Sequence, residues 1–285
     1  MTVATVEPRA RRVAGPAAIS GDFRRFLHLT LTLALTDWKL RFFGSALGYL
    51  WSLLRPLMLF GILYFVFSLI VRIGDRVDNY PLVLLVGVVL FSYFAEVTKE
   101  CVECVLQREQ LVRKVSFPRM VVPLSVAVAG TFNLALNLVA VAVFVALSGV
   151  EPRVEWLLLP IPLLLLVLLA AGTGMLLAAL YVPFRDVRPI WDVATQALFY
   201  ATPIFFPIQF VMEHGAGLTK LVMANPLADL IVGTRHLLLG AGSPSASEAV
   251  GGAAYLVVPA TILVAAVVLG FVVFNRMAPR VAEDL

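Results

Sequence analysis

Long uncharged stretches recur along the chain and predict membrane-spanning helices. Residues 121–150 and 156–184 contain no charged residue. Because about 20 apolar helical residues cross a hydrocarbon core about 30 Å thick, each stretch is long enough to span a bilayer. Applied to the whole chain, the pattern predicts six transmembrane helices, at 47–71, 80–104, 121–148, 156–182, 190–212 and 253–275.

A mixed pattern precedes the first span. Between Phe23 and Phe42, apolar residues recur at steps of three and four, with charged residues between them. An apolar stripe beside a charged face is typical of an amphipathic helix that lies in the membrane interface. We call this element the interfacial gate helix, since it would guard the first span. Its aromatic and basic markers, with one tryptophan from the first span, are Trp38, Lys39, Arg41 and Trp51.

Prolines and one acidic residue interrupt the apolar sequence before the last span. Pro203 and Pro207 fall inside the predicted fifth span and predict a broken or kinked helix there. The stretch 221–239 is semi-apolar, contains Asp229 and is too short for a clean span, so it predicts a re-entrant or surface-packed pair of short helices. The expected fold is an all-α integral membrane protein: an N-terminal amphipathic interfacial helix, six transmembrane helices and a re-entrant helical hairpin before the last span.

The two ends of the chain are polar and basic. Residues 1–22 contain several arginines and no apolar run ahead of a small-residue cleavage site, so they are expected to form a disordered basic cytoplasmic tail. Residues 23–275 are expected to form the transmembrane domain. Residues 276–285 would then be a second, short cytoplasmic tail.

Charge fixes the expected orientation. The formal net charge is +4, and the basic residues lie beside apolar segments, which suits anionic lipid headgroups and requires no nucleic acid. With six spans, 17 of the 22 lysines and arginines fall on the side of the termini and five on the other. By the positive-inside tendency, both termini are expected to be cytoplasmic.

Candidate catalytic and metal-binding residues are sparse. Cys101 and Cys104 form a C-x-x-C spacing, but one helical turn between two cysteines is more simply explained by packing, and the three histidines are scattered. Asp75 and Asp78 have no histidine near them in the sequence, which disfavours a membrane-embedded glycosyl- or acyltransferase. No metal site and no catalytic residue are expected.

The connection between the second and third spans has the composition of a docking element. Basic residues alternate with Leu111, Val112, Val115 and Phe117, so a short helix here would present an apolar knob with a charged rim. An ordinary positive-inside loop explains the charges equally well. Both interpretations stay open on this segment alone.

Six short motifs taken together resemble the permease subunit of the ABC-2 exporter family. In chain order they lie at 38–41, 51–56, 111–119, 184–187, 202–207 and 225–226. The most specific are the Arg113-Lys114-Val115-Ser116-Phe117-Pro118 run and the Arg185-Asp186 loop. Within the family the chain is most similar to permeases that export lipid-linked O-antigen, teichoic acid or galactan, although a drug or lipo-oligosaccharide exporter is a weaker alternative.

The resemblance implies partners and a location. It implies a homodimer bound to two copies of a separate ATPase subunit in a bacterial inner membrane, with a lipid-linked glycan as cargo. The ATPase-docking residues that it implies are Leu111, Arg113, Lys114, Val115, Phe117, Arg185 and Asp186. None of the four lysines follows a glycine, so the chain lacks a phosphate-binding P-loop. We therefore expect a non-enzymatic subunit without its own cofactor, and ATP and Mg²⁺ to be used by the partner.

Aromatic residues are concentrated in the first, second and fifth spans. Rings can stack on sugar faces and let a flexible polymer slide without tight binding. The rings that we predict to line a substrate passage are Tyr64, Phe199, Tyr200 and Phe206. Helix packing and an interfacial aromatic belt are alternative roles for each of them.

Overall fold

The computed structural model describes residues 23–41, 47–77, 79–109 and 118–284, and within these ranges the chain forms helices and turns without a strand. The longer helices are α1 (Phe23–Arg41), α2 (Leu50–Tyr64), α3 (Tyr80–Gln107), α4 (Val121–Leu147), α5 (Pro160–Tyr181), α6 (Val187–Ala201) and α11 (Val257–Asp284). Four shorter ones lie between the last two: α7 (Ile208–Glu213), α8 (Ala216–Met223), α9 (Pro226–Leu239) and α10 (Ala246–Val250). The predicted N-terminal tail, 1–22, lies outside the described residues.

Five helical stretches among the described residues are long and apolar enough to cross a membrane. They are Leu50–Ile70, Tyr80–Gln107, Val121–Leu147, Val154–Tyr181 and Ala253–Met277. The first of them joins α2 to a π-helical turn, Phe65–Ile70. These stretches confirm an all-helical, multi-pass membrane architecture and correspond to five of the six predicted spans.

The predicted fifth span is divided into two helices. It consists of α6, 15 residues long, and α7, six residues long, separated by an irregular stretch from Thr202 to Pro207. Neither piece reaches the roughly 20 residues that a straight crossing needs. The break that Pro203 and Pro207 predict is thus confirmed.

Helix α3 occupies the centre of the molecule. Within its most apolar 18 residues, 78% are buried. The corresponding share is 6% for the stretch Leu50–Ile70 and 17% for the stretch Ala253–Met277. It packs against α5 on one side and α4 on another, and it also contacts α2 and α6. The polar residues of α3 are therefore placed where they can meet side chains from several elements at once.

The helix predicted before the first span is present as α1. Phe26, Thr30 and Ala34, spaced one turn apart, are its buried residues, and the helix packs along α4. Leu33 and Trp38 are half-buried, and most of its other apolar residues are exposed; Phe23 is 65% exposed. A narrow buried stripe with exposed apolar and charged residues beside it is the pattern of an interfacial helix.

Two short helices occupy the stretch predicted to form a hairpin. Helices α8 and α9 meet at Asn225, whose side chain accepts a 3.0 Å hydrogen bond from the backbone N–H of Leu227 and so caps α9. Helix α9 is mostly buried and contacts α3, α5 and α11. The pair begins at Ala216, five residues before the predicted start.

The last long helix is held by a close crossing with α5. A Cβ atom at Gly172 would lie 2.6 Å from the Cα atom of Val267, which is closer than side chains tolerate. Small residues let two helix backbones approach closely. In a membrane, this close packing stabilises helix association, because the hydrophobic effect does not drive helices together in lipid. This contact ties α11 to the core although most of its surface is exposed.

Candidate functional site

A groove runs along α3 between α2 and α6. It has a volume of about 850 Å³, and a neighbouring recess of about 480 Å³ shares Phe91, Lys99 and Phe199 with it. The groove is apolar and aromatic at Phe91 and Phe199, and polar toward the end of α3 that is predicted to face the cytoplasm. The polar residues that line it include Arg41, Arg55, Glu96, Lys99, Glu100 and Asn133.

Aromatic rings form a connected series at the apolar end of the groove. The centroid of the Phe199 ring lies 5.2 Å from that of Phe91, 5.4 Å from that of Tyr200 and 6.1 Å from that of Phe205. Phe205 in turn lies 5.0 Å from Phe206. The structure thus brings together three of the four rings predicted to contact substrate, and Phe205 connects them.

Tyr64 belongs to a different group of rings. It stacks on Phe60 at 5.7 Å, and Phe60 meets the edge of Phe144 in α4 at 5.5 Å. Tyr64 is half-buried in this packing between α2 and α4. The fourth predicted ring is therefore separate from the series around Phe199.

The break between α6 and α7 is held by three side chains from other helices. Arg235 of α9 donates hydrogen bonds to the carbonyl oxygens of Pro203, at 2.5 Å, and Ile204, at 2.6 Å. Tyr80 donates to the carbonyl oxygen of Phe205 at 2.7 Å, and Asn225 donates to the hydroxyl of Thr202 at 3.0 Å. The bonds from Arg235 and Tyr80 satisfy three carbonyl oxygens that the interrupted helix leaves open.

A glycine in α3 makes room for this arrangement. A Cβ atom at Gly87 would lie 2.8 Å from the carbonyl oxygen of Ile204 and would also collide with the guanidinium of Arg235. The broken segment therefore lies directly against the α3 backbone. Its position fixes Phe205 and Phe206 relative to Phe91.

The gate helix is fastened to the polar end of the groove. Arg41 pairs with Glu96, at 2.5 Å, and with Glu100. The indole N–H of Trp38 donates to the side-chain oxygen of Asn133 at 2.9 Å, and the amide of Asn133 donates to Glu96 at 2.9 Å. One network thus joins α1, α3 and α4 at the wall of the groove.

The other residues predicted to mark the gate helix lie in different surroundings. Trp51 is 40% exposed and lines the groove, while Lys39 is exposed on the outer surface of α1. Trp38 also stacks on Tyr49 at a centroid distance of 4.4 Å. Arg41 and Trp51 therefore line the groove, and Trp38 is bonded to Asn133 in its wall.

A second polar cavity, of about 520 Å³, lies beside the first on the other side of Arg41 and Lys99. Asp37 pairs there with Arg108, and Lys99 pairs with Asp192 at 3.0 Å. Burial raises the pKa of Asp37, although Arg108 and Arg41 both lower it. The fold therefore holds this carboxylate in a partly dehydrated position beside the arginine.

The docking residues can be followed only in part. Leu111, Arg113, Lys114, Val115 and Phe117 lie outside the described residues. Arg185 and Asp186 are exposed in the turn between α5 and α6, where the guanidinium carbon of Arg185 lies 5.0 Å from the centroid of the Tyr181 ring. The turn is tied to α3, because Arg188 pairs with Glu103.

The two cysteines are buried in the core of the bundle. Both have free thiols, and the sulfur of Cys101 lies 3.7 Å from the carbonyl oxygen of Pro123. A Cβ atom at Gly174 would lie 2.7 Å from that sulfur, so α3 and α5 touch closely at this point. Within the described ranges no group of three or more His, Cys, Asp or Glu side chains is placed to hold a metal ion.

Several residues of the groove were missed by the sequence analysis. Glu96 and Glu100 in the groove, and Glu103 in the neighbouring polar cavity, were not among the predicted site residues, yet each of them binds an arginine from another element. Their spacing of four and three residues places them on one face of an otherwise apolar helix, and this was a usable signal. Asn133, a polar residue in the charge-free helix α4, was a similar signal. No spacing pointed to the partners of Arg235.

The residues of this groove lie within a region that matches a known family. The chain matches the model of the ABC-2 type transporter family over residues 28–239. It is 27% identical over 258 residues to the O-antigen export system permease protein RfbA of Klebsiella pneumoniae, which covers 90% of this chain and 95% of that protein.

The chain is also similar to proteins from other bacteria. The O-antigen export system permease protein RfbA of Myxococcus xanthus is 27% identical over 237 residues, 83% of this chain and 90% of that protein. The polysialic acid transport protein KpsM of Escherichia coli is 24% identical over 216 residues, 73% of this chain and 80% of that protein. Since the family match extends from α1 through α9, the chain belongs to the ABC-2 type transporter family.

Proposed function

We propose that the chain is the transmembrane permease subunit of an ATP-binding-cassette exporter that moves lipid-linked polysaccharide from the cytoplasmic side across the inner membrane. The observation that carries this proposal is the similarity, over 90% of the chain, to a protein named as an O-antigen export permease. The aromatic groove supplies a physical means of transport that suits such a cargo.

The groove suits a sliding polymer better than a tightly bound small molecule. Phe199, which is half-buried, and Tyr200, which is exposed, offer ring faces, and a stacking contact contributes on the order of 1 kcal/mol. Contacts of this size guide a sugar chain without trapping it. A polymer longer than the bilayer is thick needs a continuous passage, and an open groove can supply one wall of it.

A second copy of the chain would supply the other wall. The α2 stretch is only 6% buried, and Tyr200, at the edge of the groove, is 60% exposed. Pairing two copies along α2 and α6 would cover this apolar surface and enclose the rings. We propose a homodimer of this kind as the transporting unit.

Two copies of a partner ATPase would dock on the cytoplasmic surface. The proposed contacts are the segment 111–117 and the turn that contains Arg185 and Asp186. Arg188, which follows this turn, is bound to Glu103 of α3, so force applied at the turn would reach the helix that lines the groove. The energy for transport would come from ATP and Mg²⁺ bound by that partner.

The proposed topology has six crossings with both termini in the cytoplasm. Helices α6 and α7, with the break between them, would form the fifth crossing, and α8 with α9 the re-entrant hairpin. The distribution of 17 basic residues against five supports this orientation. Irregular backbone at membrane depth is tolerated where the surrounding protein satisfies its polar groups. Arg235 does so here by donating hydrogen bonds to the carbonyl oxygens of the break.

Depletion of the protein in its native bacterium tests the proposed function. Lipid-linked glycan should then accumulate on the cytoplasmic leaflet, where an external glycosidase cannot reach it in intact cells. Expression of the wild-type chain should restore access. If the amount and the accessibility of lipid-linked glycan are unchanged while another class of compound accumulates, polysaccharide export is the wrong function.

A further inference from the structure

Pro56 lies inside helix α2, as its seventh residue. In a regular α-helix the backbone N–H of residue 56 donates to the carbonyl oxygen of Ser52, but proline has no N–H and its ring crowds that carbonyl. The carbonyl oxygen of Ser52 therefore loses its usual partner within an apolar helix. Ser52 also lines the 850 Å³ groove, so the interruption lies at the wall of the groove.

Asn137 of α4 supplies the missing donor. Its side-chain amide donates to the carbonyl oxygen of Ser52 at 3.2 Å, and to that of Asn133, one turn earlier in α4, at 2.8 Å. Both acceptors are carbonyl oxygens, so the amide must present its NH2 group to them. The side-chain oxygen of Asn137 has no hydrogen-bond partner among the described residues, although the residue is only 6% exposed. The two donated bonds therefore orient this side chain.

The first turns of α2 have little other packing to hold them. Residues 50–55 include no buried residue, whereas Pro56 and Phe60 are buried. Beyond the proline, Phe60 meets the edge of Phe144 in α4 at 5.5 Å. The apolar contact with α4 thus lies after Pro56, and the bond from Asn137 to Ser52 joins the same two helices before it.

We infer that Asn137 is a positioning residue for transport: its bond to Ser52 holds the start of α2, which Pro56 releases from regular helical bonding, in the wall of the groove. The inference rests on the proposed function, because it takes the groove as the path of the cargo. Asn133, one turn earlier, binds Trp38 of α1 and Glu96 of α3. Two asparagines on α4 therefore hold the elements that surround the groove.

The dependence of Asn137 on Pro56 is tested with a double-mutant cycle. Pro56→Ala restores a backbone N–H for the carbonyl oxygen of Ser52, and Asn137→Leu removes the side-chain donor while keeping a similar size. Because either donor can serve this carbonyl, Asn137→Leu should matter only while residue 56 is proline. The cycle uses the full complex of permease and ATPase, with both native cysteines replaced by alanine.

Reaction of a thiol in the groove measures the position of α2. Ser92→Cys in α3 places the thiol in the groove that Ser52 also lines, and its reaction rate with a methanethiosulfonate reagent should rise when the start of α2 is loosened. We expect Asn137→Leu to raise this rate about threefold or more beside Pro56, and by less than about 1.5-fold in the Pro56→Ala protein. Glycan export should slow by a similar factor beside Pro56 only.

Thr131→Val is the matched control. It also removes a polar group from α4, but this hydroxyl lies 3.3 Å from that of Tyr93 and donates to the carbonyl oxygen of Ala127, without a bond to α2. The labelling rate at Ser92→Cys should therefore be unchanged by Thr131→Val. Thermal unfolding of each variant is measured alongside, to separate a local change in the groove from a general loss of stability.

The possible results separate clearly. If Asn137→Leu has no effect, or the same effect in both backgrounds, Asn137 does not replace the N–H that Pro56 lacks and the inference is wrong. A lower unfolding temperature with unchanged labelling, or faster labelling with normal export, also contradicts it. If Asn137→Leu alone prevents assembly, Pro56→Ala should restore assembly, and a double variant that still fails to assemble overturns the inference. Labelling needs no cargo, so these results judge Asn137 independently of the depletion experiment that tests the proposed function.

Discussion

Arg235 in α9 donates a 2.6 Å hydrogen bond to the carbonyl oxygen of Ile204, in the break between α6 and α7. Arg235 is 2% exposed and binds the neighbouring carbonyl of Pro203 as well. Unsatisfied backbone groups are costly inside a membrane, and hydrogen bonds to a charged donor are stronger than neutral ones. This guanidinium therefore stabilises the irregular segment that positions Phe205.

Removing the guanidinium should destabilise the protein strongly. Arg235→Met leaves two buried carbonyl oxygens without their donor, and we expect a loss of about 2–4 kcal/mol in the free energy of unfolding. Thermal unfolding of the purified protein in detergent measures it. Arg276→Met, at an exposed position of α11, is the matched control and should have little effect. Equal unfolding temperatures for the two variants would show that the break is held by other contacts.

The docking segment gives a second prediction. Val115→Ser combined with Phe117→Ser removes the apolar knob that we expect the ATPase to cover, so co-purification of the ATPase should fall about tenfold, while membrane insertion is retained. The control, Leu218→Ser with Leu221→Ser, changes two exposed leucines of α8, which the proposed topology places away from the cytoplasm. Normal co-purification and export by the first variant would rule out 111–117 as the docking site.

Topology can be tested by labelling. In a cysteine-free background, Asp78→Cys and Gly242→Cys should react with an impermeant thiol reagent added to intact cells, because both positions are expected outside. Arg113→Cys and Arg280→Cys should react only after the cells are opened. The expectation follows from the distribution of basic residues across the six proposed crossings. Labelling of Arg113→Cys from outside in intact cells would show that the proposed orientation is wrong.

The aromatic groove leads to a transport prediction. Phe199→Ala with Tyr200→Ala removes two rings that lie 5.4 Å apart, and we expect glycan export to slow by about threefold or more, with assembly of the dimer and the ATPase unchanged. Export is followed as lipid-linked glycan that becomes accessible at the cell surface. The control, Leu269→Ala with Phe271→Ala, removes comparable exposed surface from α11. Export at the normal rate, or failure through loss of the dimer, would assign the two rings to packing.

Local patterns in the sequence were sufficient to predict the helices but not the contacts between them. Span length, the three-and-four spacing of α1 and the two prolines of the break depend only on residues close in the chain. Five of the six predicted spans, the helix α1 and the break are present in the structure. The pairs of Arg41 with Glu96 and of Arg235 with Ile204 join residues 55 and 31 positions apart. No periodicity specifies such contacts.

The rotation of an apolar helix about its axis was equally inaccessible. Helix α2 is apolar on nearly all sides, so its pattern does not distinguish the face of Tyr64, which stacks on Phe60, from the face that lines the groove at Leu59. Helix α6 is amphipathic, and its rings Phe199 and Tyr200 do border the groove. Aromatic content alone therefore could not separate packing rings from groove rings.

Transport by the purified proteins would show whether the chain exports lipid-linked glycan. The permease and its partner ATPase are placed in proteoliposomes that carry lipid-linked glycan from the native membrane, ATP is added outside, and the glycan protected from an external glycosidase is measured over time. Protected glycan should increase only when ATP and both proteins are present. No ATP-dependent protection by an assembled, ATP-hydrolysing complex would contradict the proposed export function.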